Sequence, residues 1–483
     1  MTLEKAQVLF GSADKWVRMK KTTIAAPMSL LFLFSSCAFI APKKTTKATP
    51  PAEVARLAYG IGSKALEEKN AKKAIKYLAN CLKFDPKNDK CHYDLGWAFF
   101  MDYEFNKAKV IWESLQKTHP NKAGLKTALN KVNTQIDIQS KSMALRKTQP
   151  AHSDSGRFPA SADEVVSIKA VGDVMIGTNY PTSMLPPGNK SPLEFIEKSL
   201  KDADVTFANY EGTFCDSKEV TKKCDGKGKD CFAFRTPTQY APHLKDAGID
   251  VVSLANNHIM DFGEACRTQT EKTMEAQGIA WSGRKDTVAR FEKKGMKFSM
   301  IAFHTADHSN SSFQLKKATK MVKQEKSEGR IVIISFHGGI ESEISMKADK
   351  NQIITFAHTM VDAGADLILG SGPHVVRGME VYKDRLIAYS LGNFATYKGM
   401  SLWGLNSAGA ILEANLDKTG KFVKGKVIPT RQLQFGYPVI DKKQTSVDLV
   451  RYLSQKELTE HGIGLALDGS ILIQPTRKIS SEK

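Results

Sequence analysis

The sequence predicts an α/β protein in which a layered sheet-and-helix domain follows a small all-α module. Three observations predict it. Five apolar runs each stop abruptly at a small-residue turn carrying Asp, Asn, Glu or His, as buried parallel strands do when they end in polar loops. Upstream of them, matching residues recur 34 positions apart, as in Gly62 and Gly96, a period typical of stacked two-helix repeats. With 483 residues, 41% hydrophobic and 25% charged, the chain has a globular composition and length for about two to three domains.

At the N-terminus, Lys20 and Lys21 precede an apolar stretch from Ile24 to Phe34, followed by Ser35-Ser36-Cys37. A basic start, a short apolar core and small residues before a Cys form an export signal. Residues 1–37 are therefore expected to be a signal peptide, with Cys37 as the lipobox-like lipidation site. Phe34 stands where Leu or Val is usual, and cleavage after Ala38 with release of a soluble protein is the alternative. Met19-Lys20-Lys21 would itself make a conventional start, so Met19 is an alternative initiator. The apolar stretch is short for a membrane span. Residues 38–52, rich in Lys, Thr and Pro, read as a tether.

The repeats occupy 53–137. Ala74 and Ala108, and Pro86 and Pro120, share the 34-residue offset, while Ile61 matches Leu95, Ala65 matches Phe99 and Leu78 matches Trp112. This is the tetratricopeptide period. The Gly and Ala positions let paired helices approach closely, and each Pro ends a second helix. Leu125, Leu129, Val132 and Ile136 lie at helical spacing and predict a capping helix over 123–136. Two repeats and a cap bury little alone, so the module is expected to lean on the next domain or a partner. Its surface around Tyr93, Trp97 and Tyr103 would dock a protein, because stacked repeats are concave; a plain spacer is the alternative. Residues 138–162, rich in Ser, Pro and Lys, read as a linker.

The sheet domain is expected over 163–438. Ser167–Val171 runs into Gly172-Asp173-Val174-Met175, and Val205–Ala208 into Asn209-Tyr210-Glu211-Gly212. Val251–Ala255 runs into Asn256-Asn257-His258-Ile259-Met260-Asp261, Ile331–Phe336 into His337-Gly338-Gly339 and Glu341, and Ala365–Gly370 into Ser371-Gly372-Pro373-His374. Any one of these is ordinary turn or helix-capping chemistry. Five in one domain would gather carboxylates, amides and imidazoles at one sheet edge, where open α/β sheets place their active sites. Those groups are metal ligands and proton carriers, so a metal-type site is the expectation. Residues 439–483 carry a predicted amphipathic helix at 447–453 and a short strand at 470–474, and read as a tail without assigned function.

Seven cysteines are present. With Cys37 taken by lipid, six remain, an even number that suits disulfides in an oxidising compartment. Cys215, Cys224 and Cys231 flank a Lys/Gly/Asp-rich insertion short of apolar residues, so one pairing inside it is expected; Cys266 completes the disulfide candidates. A zinc knuckle is the rival, although spacings of nine and seven match no Cys-x-x-Cys pattern. Cys81 and Cys91 fall on adjoining repeat helices and could equally be buried thiols. The formal net charge of +19 favours polyanionic partners, whether anionic polymer, lipid headgroup or cell-wall material. Nucleic acid is not expected, because no nucleic-acid motif accompanies the charge and an export signal points elsewhere.

The motifs Gly-Asp173-Val-Met175, Asn209-Tyr-Glu211-Gly, Leu-Ala-Asn256-Asn257-His258-x-x-Asp261-x-Gly, Ser-Phe-His337-Gly-Gly-x-Glu341, Pro-His374-Val-Val and Tyr-Ser-Leu-Gly-Asn393-Phe occur in that order over roughly 165–436. Together they resemble the bacterial capsule-synthesis CapA/PgsA family. The resemblance implies a part in poly-γ-glutamate capsule production and a metallophosphoesterase-like fold. Position by position, it implies Asp173, Glu211, Asn257, His337 and His374 as metal ligands and His258 as general acid. Asn209, Asn256, Asp261, Glu341 and Asn393 would support them. Glu211 stands where phosphoesterases use a bridging Asp, Met175 where they carry a ligand His, and Ser371-Gly372 replaces a His-rich lead-in. A carboxylate-rich, imidazole-poor site favours Mn²⁺ or Mg²⁺ over Zn²⁺.

Three function classes follow. A metal-dependent hydrolase would use the ligand set to activate water or polarise a phosphoryl or acyl oxygen, with His258 delivering a proton. A non-catalytic envelope scaffold would bind acidic polymer and recruit partners through the repeats. A metal-independent peptidase or ligase acting on γ-glutamyl bonds is the third. In each case the protein is expected to be exported and held at the membrane by lipid on Cys37.

Overall fold

The structure, a computed structural model, describes residues 49–152, 165–222, 231–458 and 460–473. The expected signal segment, Cys37, most of the tether, Cys224 and part of the linker lie outside the described residues.

Helices α1 (Pro51–Glu67), α2 (Ala71–Phe84), α3 (Asp89–Met101) and α4 (Phe105–Thr118) form two hairpins, and α5 (Leu125–Ala144) follows them. The side chains of Asn70 and Asn88 accept from Lys73 N and Cys91 N and so start α2 and α3. The repeat glycines do what their spacing implies. A Cβ on Gly62 would lie 2.7 Å from Leu78 Cγ, and one on Gly96 would lie 2.1 Å from Trp112 Nε1, so only glycine admits the buried partner. Cys81 and Cys91 are joined in a disulfide that ties α2 to α3, which decides against free thiols. Helix α5 overruns the expected cap, and a 3-10 turn (Leu145–Thr148) continues it into the expected linker. Long-range contacts explain the overrun, because Ser142 is buried and Arg146 pairs with Asp448 at 2.6 Å.

Two large sheets dominate the second domain, beside two small two-stranded ones. Its strands are β1 (Val165–Met175), β2 (Val205–Tyr210), β3 (Val251–Ser253), β4 (Ala280–Ser282), β5 (Ala289–Lys293), β6 (Met296–His304) and β7 (Ile331–His337). They continue with β8 (Leu367–Ser371), β9 (Met379–Tyr382), β10 (Arg385–Ala388), β11 (Asn393–Thr396), β12 (Ala408–Asp417), β13 (Phe422–Leu433) and β14 (Tyr437–Ile440). The first sheet runs β14-β13-β12-β1-β2-β3-β4, with β11 also paired to β1, and the second runs β9-β10-β8-β7-β6-β5. Strands β1 to β4 are mutually parallel, as are β6, β7, β8 and β10, so their site-bearing carboxyl ends share a direction within each sheet.

Strand alternation sets the layers. Ile168, Ala170 and Phe207 of the first sheet share one core with Met300, Ile333 and Leu369 of the second. On the outer face of the first sheet, Val252 packs with Met274 of α6 (Gly263–Ala276). On the outer face of the second, Ile301 and Ile334 pack with Val322 of α7 (Leu315–Ser327) and Met360 of α8 (Lys350–Ala363). The result is a helix–sheet–sheet–helix sandwich beside a helical module, the α/β class expected.

The module is docked on the domain. Trp97 packs edge-on against Trp403 with centroids 5.1 Å apart, Tyr103 Oη lies 2.8 Å from Ser407 Oγ, and the Arg431 guanidinium stacks on Tyr103. Trp97 and Tyr103, expected on a partner-docking surface, are thus engaged within the chain, and Tyr103 is buried. The expected tail also needs correction. Helix α9 (Thr445–Glu457) buries Val447, Val450 and Leu453, and its Arg451 is fully buried with Nε donating to Leu465 O at 2.7 Å. Residues 439–473 therefore belong to the core, because the helix is covered on almost every face. Cys215 is bonded to Cys266 of α6, and Cys231 is also disulfide-bonded. No described helix is long and apolar enough to cross a membrane.

Candidate metal centre

The carboxyl ends of both sheets meet at Glu211. It follows β2 directly, is fully buried, and neither carboxylate oxygen has a hydrogen-bond donor among the described residues. Three imidazoles surround Oε1: His374 Nε2 at 3.7 Å, His258 Nε2 at 3.8 Å and His337 Nε2 at 4.0 Å. These separations are too long for hydrogen bonds.

Asp173 stands on the other side of His374. The register of β1 slips between Val171 and Asp173 against β2, and between Asp173 and Val174 against β11, a bulge that re-aims the side chain. Glycine at 172 makes this possible, since a Cβ there would sit 1.8 Å from Gly392 O. Asp173 N donates to that same carbonyl at 3.0 Å. Asn209 Nδ2 donates to Asp173 Oδ1 at 2.8 Å and also lies 3.2 Å from His337 Nδ1, bridging the two sheets. His374 Nδ1 lies 3.0 Å from both Asp173 Oδ2 and Asn393 Oδ1. Both are acceptors, so Nδ1 carries the proton and Nε2 is turned toward Glu211. His374 adopts a left-handed backbone with φ of 59°, the kind of strain that concentrates at functional sites.

Electrostatics follow from burial. Burial pushes the Glu211 carboxyl well above the usual range, with Asp173 and Glu341 adding to the rise against the opposing pull of His374. Burial alone would lower His374, but the Glu211 and Asp173 carboxylates outweigh it and hold its pKa up at about 10. Burial pushes His337 well below the ordinary imidazole value, leaving it a neutral, ligand-competent ring. Asp173, Glu211 and His374 each offer an atom within 4.8 Å of the others. This donor set of two carboxylates and an imidazole, in which Glu211 has no donor among the described residues, is compatible with a divalent cation, which would remove the cost of leaving Glu211 unpaired.

His258 forms a separate device on the same edge. Its Nδ1 lies 2.7 Å from Asp261 Oδ2, which also accepts from Phe234 N at 2.9 Å, while Asp261 Oδ1 accepts from Lys222 Nζ at 2.8 Å. A carboxylate can only accept, so His258 carries its proton on Nδ1 and presents Nε2 toward Glu211. Asn256 holds the loop, donating to Tyr210 O at 2.7 Å and accepting from His258 N at 3.1 Å.

The structure thus brings together Asp173, Glu211, His258, His337 and His374, with Asn209, Asn256, Asp261 and Asn393 supporting them. Two expected residues differ from the others in burial. Asn257 is exposed, and its side chain makes no hydrogen bond among the described residues; Glu341 is also exposed and acts on the cluster only through its charge. Met175 is buried and leaves an apolar side chain where an imidazole was the alternative.

Two histidines were missed. His304 ends β6 as the register partner of His337 on β7, with ring centroids 5.5 Å apart, and His308 lies 5.7 Å beyond it. Burial, reinforced by His308, lowers the His304 pKa to about 4. His308 Nε2 lies 3.3 Å from Asn256 O, against the loop that carries His258. The signal was in the sequence, because Met300-Ile301-Ala302-Phe303-His304 is a sixth apolar run ending in an imidazole.

Residues 167–398 match the family described as bacterial capsule synthesis protein PGA_cap, whose domain is consistent with this metallophosphoesterase-like layering. A PGA biosynthesis protein CapA of Bacillus subtilis is 28% identical over 278 residues, covering 54% of this chain and 70% of that protein. A capsule biosynthesis protein CapA of Bacillus anthracis is 24% identical over 322 residues, covering 61% and 75%. A probable polyglutamine synthesis accessory protein of Mycobacterium tuberculosis is 24% identical over 303 residues, covering 50% and 77%. Among solved structures, GAP50, the anchor in the inner membrane complex of Plasmodium, covers 59% of this chain and 94% of its own at 12% identity, but a TM-score of 0.32 is too low to bear on the fold. Residues 167–398 thus match the capsule-synthesis PGA_cap family, and the chain is similar to CapA proteins over 54–61% of its length.

Proposed function

We propose that this protein acts in the biosynthesis of a capsular or poly-γ-glutamate-type polymer, as an exported, metal-dependent hydrolase of the phosphoesterase type. The relatives named for capsule, PGA and polyglutamine synthesis support the biological role. One observation carries the chemistry: a fully buried Glu211 without a donor, flanked by Asp173 and three imidazole nitrogens. Asp173, Glu211 and His374 would hold the cation, with His337 and Asn257 as further ligands, and the donor set favours Mn²⁺ or Mg²⁺. When bound, the cation supplies Lewis-acid polarisation of a phosphoryl or acyl oxygen and a more acidic water.

The remaining work belongs to the chain's own side chains. Asp261 fixes the His258 ring and stabilises it when charged, so Nε2–H is the proton delivered to a departing oxygen. Asn209 holds Asp173 and Asn393 holds His374 by hydrogen bonds, leaving the Nε2 of His374 directed at the shared site. Disulfides at Cys81–Cys91 and Cys215–Cys266 favour an oxidising compartment, in keeping with export and a lipid anchor on Cys37.

Asp173→Asn tests the reading directly. It retains size while removing a charge the cation needs, so Mn²⁺ uptake by the purified chain should fall and hydrolysis of bis(p-nitrophenyl) phosphate with it. A non-catalytic polymer-binding scaffold is the second reading, favoured by Met175 in place of an imidazole and by the exposed Asn257. Full polymer production in cells carrying both Asp173→Asn and His258→Ala, at matched protein level, would leave only the scaffold.

A further inference from the structure

Of the cavities along the seam between the helical module and the sheet domain, two flank Trp403. The first is a groove of about 460 Å³ lined by five cations, Lys69, Lys72, Arg431, Lys442 and Lys443, against two carboxylates, Asp102 and Asp441. Both carboxylates are already engaged. Asp102 pairs with Arg431 at 3.4 Å, and Asp441 accepts from Lys443 N at 3.0 Å and Thr445 N at 2.9 Å. Two of the cations are engaged as well. Arg431 also donates to Met101 O and stacks on Tyr103, while Lys443 Nζ pairs with Glu104 at 2.9 Å.

That leaves Lys69, Lys72 and Lys442 with no carboxylate within ion-pair distance among the described residues. Lys69 is only partly exposed, with Nζ 4.1 Å over the Trp403 ring, and burial lowers its pKa. Glu67 offsets only part of that burial, so an anion in the groove would favour the charged form of Lys69.

The second cavity, of about 640 Å³, begins at the same Trp403 and is lined also by Trp97, Ser342 and Asn406, with one cation, Lys131, and one carboxylate, Glu343. Its lining is tied by hydrogen bonds to residues that hold His374. Asn406 Nδ2 donates to Ser342 Oγ at 3.1 Å, and Ser342 N donates to the carbonyl of Pro373, the residue before His374, at 2.7 Å. Asn393 Nδ2 donates to Asn406 O at 3.3 Å, and its Oδ1 lies 3.0 Å from His374 Nδ1.

We propose that this seam is a track for a linear polycarboxylate, an acidic polypeptide, that Lys69, Lys72 and Lys442 grip and the Trp403 cleft leads toward the metal centre. The proposal deepens the polymer role above and rests on that reading for the direction of the track. The groove's unpaired cations, Lys69, Lys72 and Lys442, complement a chain that carries carboxylates along its length. Between them the amides of Asn70 and Gln434, themselves 3.3 Å apart, offer partners to a backbone amide. A recessed groove of this kind fits a single chain better than a flat lipid surface. The helical module is then one wall of the polymer site.

Fluorescence anisotropy with labelled poly-glutamate oligomers and the metal-free full chain tests this. Binding should weaken with salt, and a Lys69→Gln, Lys72→Gln, Lys442→Gln variant should bind about tenfold or more weakly at low salt. A control, Lys316→Gln, Lys320→Gln, Lys323→Gln on exposed positions of α7, removes the same charge and should bind like the wild type, with melting temperatures confirming that both fold. Equal loss in both variants, or no loss in the first, overturns the track. So does a wild-type chain that binds polyphosphate or phosphatidylglycerol vesicles but not poly-glutamate. Because no metal is present, failure here speaks to the seam alone, whereas failure of Mn²⁺ uptake speaks to the metal centre alone.

Discussion

Replacing Asp261 separates the proton donor from the metal site, because the residue touches His258 and not the ligand triad. Its side chain is 1% exposed. One oxygen accepts from two buried donors, His258 Nδ1 and Phe234 N, and the other from Lys222 Nζ. Asp261→Ala leaves both buried N–H groups without an acceptor, at about 1–3 kcal/mol each, so a loss of about 2–6 kcal/mol is expected in denaturant unfolding. Asp261→Asn is gentler. Its single oxygen can serve both buried donors while its NH₂ faces Lys222, whose side chain is 37% exposed and free to turn to water. What Asn removes is the negative charge that stabilises the imidazolium of His258. Turnover should therefore fall by about 10–100-fold, the usual effect of losing such an orienting partner, while Mn²⁺ uptake is retained. The assay pairs bis(p-nitrophenyl) phosphate turnover with metal analysis and nitrogen NMR of the His258 ring. Wild-type turnover in Asp261→Asn, or wild-type stability in Asp261→Ala, would refute the geometry argued here.

Three further outcomes are expected. His258→Ala should retain metal by elemental analysis yet lower turnover by about 10²–10⁴-fold if its imidazole delivers the proton. Gly96→Ala drives a methyl against the buried Trp112 indole, at 2.1 Å from Nε1; overpacking of this kind costs about 1–3 kcal/mol, read as a lower denaturant midpoint. The third concerns pH. Burial would raise Glu325, but hydrogen bonds from Arg290 and Ser299 outweigh it and hold its pKa below the usual value of 4.5. A depressed carboxylate contributes stability above its unfolded pKa and loses it as pH falls through the folded one. The stability gap between wild type and Arg290→Ala should therefore be full at neutral pH and close on acidification below the ordinary Glu range, followed by urea unfolding.

Much of the candidate site was legible because each of its residues ends an apolar run, and strand ends can be read locally. Asp173, Glu211, His337 and His374 each announce themselves this way, and the sheets then bring them together. What could not be read locally was pairing across the sandwich. His304 matters only because β6 lies beside β7 in register with His337. The module surface was misjudged for the same reason. Trp97 and Tyr103 look like docking aromatics within their own repeat, and nothing nearby in sequence reveals Trp403 or Ser407, about 300 residues away. The C-terminal helix was legible as amphipathic, but its burial on nearly every face was not, because several of the elements that cover it lie far away in sequence.

The docking of the module carries a functional consequence. Strand β11 serves both ends of the proposed path: Asn393 holds His374, and three residues on, Thr396 donates to Gln432 in the floor of the basic groove. The adjoining loop supplies Leu402 and Trp403, against which the repeats pack. A polymer held by the repeats would therefore rest on the same strand that positions a metal ligand. Separating the module from the domain would strip aromatic cover from this loop and open the groove on one side. On this argument the repeats are not a spacer, and their spacing of Gly62 and Gly96 matters to the site because it sets the shape of the wall that faces it.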